Sequence, residues 1–198
     1  MSATASSGLT STNTTIMAPQ DNALYGRLNR RIHMDDIQAL LHNHAADELL
    51  PVLVSLLQTD NKRVADNAAW IMTHFSDSVL VQNRIALLSL KPLCMQTADT
   101  TLRRLLMTLF ERIYTPQAPL DIAFLNHCLD GIGNPSVPVG TRALYMKLAW
   151  QQCQLHTDLQ AEMLALLHFM DRETDLSPAV ACVRNHILKS TSRSKING

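Results

Sequence analysis

Residues 47–75 read DELLPVLVSLLQTDNKRVADNAAWIMTHF. Leu49, Leu50, Leu53, Leu56 and Leu57 recur at the three-and-four spacing of a helix with one apolar face, and Val52 and Val54 widen that face. Asp47 and Glu48 fall in the first turn, where carboxylates complement the helix dipole, and Pro51 lies close enough to the start for its missing N–H to do little harm. Asp60-Asn61 supplies a turn and a cap, after which Val64, Ala68, Ile71 and Phe75 form a second apolar stripe. Neither short helix can cover its stripe alone. The stretch therefore predicts a helical hairpin that must stack on others like it.

The pattern continues in both directions. About 38 residues on, Leu102, Leu106, Leu109 and Ile113 repeat the second stripe; about 75 residues on, Val139, Ala143, Met146 and Trp150 are expected to repeat it again. Partner helices are expected near 78–96, 118–131 and 156–171, with a last helix over 176–190 capped by Asp175 or Ser177 and carrying Pro178 in its first turn. Upstream, Leu24, Leu28 and Ile32 follow Asp21-Asn22 as one helix, and Ile37, Leu40 and Leu41 follow Asp35-Asp36 as another, making a leading pair over 22–44. Repeat periods near 35–45 residues are those of α-solenoids. The expected organisation is a flexible leader over 1–20, poor in apolar residues and free of charge, a single repeat domain over 21–190, and a polar tail over 191–198.

With the pattern laid out, the run Leu50-Pro51-Val52-Leu53, Leu57, Asp60, Arg63-Val64 and Ala68-Ala69 resembles the HEAT repeat, close kin of armadillo. Arg63 precedes Val64 here, where the family's pattern has the valine first. Pro92 and Asp99 keep part of the signature in the next unit, Pro119 and Asn134 in the one after. The resemblance implies an all-α, right-handed α–α superhelix of about five helix pairs, with the second helix of each pair on the concave side. It implies no chemistry of its own.

Composition agrees with helices. The chain of 198 residues is 46% hydrophobic, 5% aromatic and 17% charged, with only 6 glycines. Seventeen basic residues balance seventeen acidic ones, so no net field draws nucleic acid or an anionic membrane. No apolar run reaches the roughly 18 residues of a membrane helix, and the N-terminus has no secretory signal pattern. Cys94, Cys128, Cys153 and Cys182 are widely spaced and read as free thiols, which places the chain in the cytoplasm.

Catalytic and metal patterns are thin. His42/His44 and Cys182/His186 each offer two ligands where zinc needs three or four, and His127-Cys128 point about 100° apart on a helix. Gly131-Ile132-Gly133 reads as a helix C-cap before Asn134-Pro135 rather than a phosphate loop. The sequence thus predicts neither an enzyme nor a cofactor or metal site, and no small-molecule substrate. Recognition is expected on the outward flank of the second helices. Trp70 lies about 130° from the centre of its buried stripe, Thr108 and Tyr145 fall at matching positions, and Asp66, Asn67, His74, Arg104, Arg112, Thr141 and Arg142 are their neighbours. Packing between repeats is the competing role for Trp70 and Tyr145. The leading expectation is a non-catalytic scaffold that binds a protein or peptide along its concave face. The alternative is a DNA-binding solenoid, similar to the alkylation-repair glycosylases, with Asp66, Trp70, Arg103, Arg104 and Arg112 in the groove.

Overall fold

The computed structural model describes residues 19–170 and 176–194, and among these every regular element is a helix. In order they are α1 (Pro19–Leu28), α2 (Met34–Asn43), α3 (Ala46–Leu56), α4 (Lys62–Met72), α5 (Asp77–Gln82), α6 (Arg84–Leu88), α7 (Lys91–Gln96), α8 (Thr100–Ile113), α9 (Ile122–Gly133), α10 (Val139–Cys153), α11 (Thr157–Phe169) and α12 (Pro178–Ser194). Of the leader expected over 1–20, residues 1–18 lie outside the described residues, as do the cap at Asp175 and the tail from 195 onward; Pro19 and Gln20 already belong to α1, which places Asp21 and Asn22 inside the helix rather than at its cap.

Two layers organise the stack. In one, α1, α4, α8, α10 and α12 each pack on the next, giving five rows. In the other, α3, α5–α7, α9 and α11 lie against α4, α8, α10 and α12 respectively. Successive helices pack directly on one another throughout the first layer, called the inner layer, and the other is called the outer one. The hairpin over 46–72 is as expected: Leu49, Leu50, Leu53, Leu56, Leu57, Val64, Ala68, Ile71 and Phe75 are all buried, and Asn61 caps α4 by accepting from the Arg63 and Val64 N–H groups. One continuous apolar core runs from Leu24 to Ile187. No described helix is long and apolar enough to cross a membrane.

Three departures have local causes. The helix expected over 78–96 is broken into α5, α6 and α7. Asn83 closes α5, its side-chain amide donating to the Val79 carbonyl at 2.9 Å, and Pro92 in the first turn of α7 has no N–H with which to continue α6. The leading pair over 22–44 divides, because α1 joins the inner layer against α4; His33, rather than Asp35 or Asp36, is the N-cap of α2, with Asp36 at its third position accepting from the His33 N–H. The third departure is in α10. Its buried face is Thr141, Arg142, Tyr145, Met146, Leu148, Ala149, Gln152 and Cys153, while Val139 is 45% exposed and Trp150 is half-buried. The expected stripe was rotated because this face carries polar groups that hydrophobicity cannot reveal. Arg142 Nε donates to the Ile132 carbonyl at 2.7 Å, and Gln152 accepts from the Tyr114 hydroxyl at 3.1 Å.

The repeat period is written in hydrogen bonds. Asn67 donates to the Leu28 and Arg30 carbonyls at 2.8 and 2.9 Å, and Arg112 to the Thr73 and Phe75 carbonyls at 2.6 and 2.8 Å. Gln151 donates to the Glu111 carbonyl at 3.2 Å. Each bond reaches back one unit, across 37 to 40 residues, to the C-terminal end of the preceding inner helix. Such carbonyls have no partner within their own helix, so the brackets satisfy them and set the spacing of the rows at once.

Candidate functional site

The inner helices α8, α10 and α12 converge on a hollow of about 830 Å³. Periodicity dictates who lines it. Among the α10 positions left over from the buried face, 147, 150 and 151 bring Lys147, Trp150 and Gln151 to one side, and the C-cap Gln154 joins them. Glu111 enters from α8 and His186 from α12. Lys147 pairs with Glu111 at 3.1 Å, both groups partly exposed, so the floor carries no net charge. Gln151 is held by its Nε2 on the Glu111 carbonyl. A flip would set oxygen against oxygen, so the amide's orientation is fixed. Its Oε1 is enclosed and has no donor among the described residues. A buried acceptor without a donor is costly, and because it is closed to solvent a ligand N–H or O–H reaches it only when the Gln151 side chain shifts.

None of the ten residues expected on the recognition face lines this hollow. Thr141, Arg142 and Tyr145 belong to the buried face of α10, at 4%, 6% and 3% exposure, and are withdrawn from the recognition surface. Their misplacement follows from the rotated stripe. Asn67 and Arg112 are committed to the inter-row brackets, Arg112 also pairing with Asp77 at 2.6 Å. Asp66 pairs with Lys62, which reaches on to Asp99, the N-cap of α8. Burial raises the Asp66 pKa, whereas at Asp99 burial is outweighed by Lys62 and by the Thr101 and Leu102 N–H groups, and the pKa falls. Trp70 is half-buried and meets His74 edge-on, with 5.9 Å between ring centres. His74 turns toward His44 and Phe75 at a separate hollow of about 200 Å³. Arg104 is exposed, and the Thr108 hydroxyl is spent on the Arg104 carbonyl. Of the three arginines of the DNA alternative, Arg103 is tied to the Cys94 carbonyl, Arg112 to those of Thr73 and Phe75, and Arg104 is exposed.

One signal in the sequence pointed to the true face of α10. Gly131 and Gly133 are not left-handed caps, since neither has positive φ and α9 runs through both. Gly131 instead leaves room for Tyr145, whose ring would stand 2.3 Å from any Cβ placed there. A glycine inside a helix marks a bulky partner opposite, and here that partner fixes which side of α10 is buried.

Cys182 lines the hollow between α8, α10 and α12 and is exposed, while Cys94, Cys128 and Cys153 are buried, with burial raising their thiols to about 12, well above the ordinary value, and to about 11 respectively. Among the described residues no three His, Cys, Asp or Glu side chains gather as a metal site requires. The family model of the HEAT repeat domain matches residues 24–191. No curated protein and no solved structure matches the chain.

Proposed function

The chain belongs to the HEAT-repeat family, whose members are typically interaction scaffolds, and we propose that it is a non-catalytic module that holds a partner protein or peptide along its inner helices. The observation behind this reading is the hollow between α8, α10 and α12, with its enclosed, donor-less Gln151 Oε1 beside the half-buried Trp150. Glutamine amides both donate and accept, as the backbone of a bound chain does, and a tryptophan flank supplies apolar contact area. Trp70, Arg104 and Thr108 extend the contact strip toward the N-terminal rows. Four unpaired thiols suit a cytoplasmic setting. No comparable observation favours the DNA reading.

The test is a quantitative pull-down from the native source, comparing the full chain with Trp150→Ala, Gln151→Ala and Arg104→Ala. Ile85→Ala on the outer α6 is the control, since Ile85 is 86% exposed. Truncating an anchor costs about 1–2 kcal/mol, so the first variants should bind roughly tenfold more weakly, with the control unaffected. Trp150→Ala and Arg104→Ala should stay folded, and Gln151→Ala should lose some thermal stability because its bracket to the Glu111 carbonyl goes too. Folded inner-helix variants that bind as tightly as the parent chain contradict the assignment.

A further inference from the structure

A smaller hollow, of about 160 Å³, opens at the edge of the stack where the N-termini of α8 and α10 meet. It holds roughly five times the ~30 Å³ that one molecule occupies in liquid water, and its walls include Thr100, Arg103, Ser136, Thr141 and Tyr145. No acidic side chain lines it. It shares no lining residue with the larger hollow, so the two stand or fall separately.

Three features of these walls point the same way. Arg103 is braced by Nε on the Cys94 carbonyl at 3.2 Å and by Nη2 on the Thr97 carbonyl; its Nη1 has no partner among the described residues, and no carboxylate pairs with it. The bracing fixes the guanidinium plane before any ligand arrives. Secondly, α10 starts after Pro138, whose side chain cannot accept a hydrogen bond, so the N–H groups of Val139, Gly140 and Thr141 go uncapped. These groups carry the positive end of a fifteen-residue helix. Thirdly, Thr141 is only 4% exposed, yet its hydroxyl has no hydrogen-bond partner among the described residues and it borders the hollow. The residue is covered but its hydroxyl oxygen is not among the enclosed atoms, so it stays open at the hollow and available to a ligand.

We propose that this hollow binds a phosphoryl group, with Arg103 Nη1, the first N–H groups of α10 and the Thr141 hydroxyl donating to its oxygens. Donors approach from a side chain, a helix terminus and a hydroxyl, and so serve more acceptor positions than the two oxygens of a planar carboxylate offer. The group is either free inorganic phosphate or a phosphorylated side chain of a partner.

The experiment titrates the ¹⁵N-labelled full chain with inorganic phosphate and, separately, with N-acetyl-phosphoserine methylamide, chloride being adjusted to hold ionic strength constant. Saturable shifts of the Gly140 and Thr141 amides and of the Arg103 Nε–H are expected. Thr141→Val, which keeps the side-chain volume, should weaken binding severalfold, and Arg103→Gln at least tenfold. Thr141→Val carries the test if Arg103→Gln loses its fold. Tighter binding of the phosphoserine compound assigns the site to a phosphorylated partner segment, and equal or tighter binding of inorganic phosphate to the free anion. Shifts that never saturate, or affinity unchanged by Thr141→Val, overturn the proposal.

Discussion

Gly131 faces the ring of Tyr145 so closely that a methyl group on its Cα would lie 2.3 Å from two ring carbons. The ring cannot swing away freely, because its hydroxyl is engaged with His127 Nε2 at 3.1 Å and the residue is buried. Gly131→Ala should therefore destabilise the chain by about 1–3 kcal/mol, the usual cost of overpacking, read from its denaturant midpoint. Trimming the ring in a Gly131→Ala/Tyr145→Leu double variant should recover part of that loss. His127 makes a second residue-level prediction. Burial, helped by the charge of Arg103, holds its pKa below the ordinary 6.5. The folded chain then favours neutral imidazole, and the unfolded chain takes up the proton first as pH falls below about 6.5. The stability this contributes is complete above that value and is lost as pH falls from there through the folded pKa. Urea midpoints measured at about pH 7.5 and about pH 5 should drop on acidification, and His127→Gln should flatten the drop. At this scale the sequence was least legible. Trp70 and Tyr145 look alike in a helical projection, yet one is half-buried and the other is sealed against Gly131 of the preceding helix.

At the scale of elements, stripes made of aliphatic residues alone were readable and mixed ones were not. Val64, Ala68, Ile71 and Phe75 on the second helix of the founding hairpin, and Leu102, Leu106, Leu109 and Ile113 on α8, are buried as their spacing demands. On α10 the dry face includes Thr141, Arg142 and Gln152, so spacing of apolar residues pointed to the wrong side. The rotation carried the buried Thr141, Arg142 and Tyr145 into the expected recognition surface, while Lys147, Trp150 and Gln151 line the hollow proposed above. Asn61 caps α4 as expected, His33 replaces the expected Asp35 or Asp36 at α2, and Asp99 and Asp121 also accept from first-turn N–H groups. Asp121 has a second duty. It pairs at 2.5 Å with Lys91, a lysine only 15% exposed whose ammonium sits 5.7 and 5.6 Å from the ring centres of Tyr114 and Phe124. Asp121→Ala removes the cap of α9 and leaves a half-covered cation without its carboxylate. We expect a loss of about 2 kcal/mol, at the upper end for a cap, in chemical denaturation. Asp121→Asn, which still caps but does not neutralise, should cost less.

For the whole molecule, the backward-reaching bonds of Asn67, Arg112 and Gln151 explain why a sequence with so weak a repeat signature still forms a regular stack. The rows of α4, α8 and α10 each tie the exposed carbonyl end of the row before, so register there is fixed locally and is passed along the chain by nearest neighbours. The solenoid was legible because a period near 38 residues appears in the apolar stripes, and the brackets, at 37 to 40 residues, have the same period. The groove was not, since its location depends on how each inner helix is rotated about its axis. A stack built in this way offers two distinct faces, and the central claim is that the inner one receives the partner. The most direct measurement places a photo-crosslinking amino acid at position 147 on the inner face, or at position 85 on the outer face, of the full chain in its native cells. The account predicts one discrete crosslinked adduct from position 147, lost with Gln151→Ala, and none from position 85. Adducts formed from position 85 alone would contradict it.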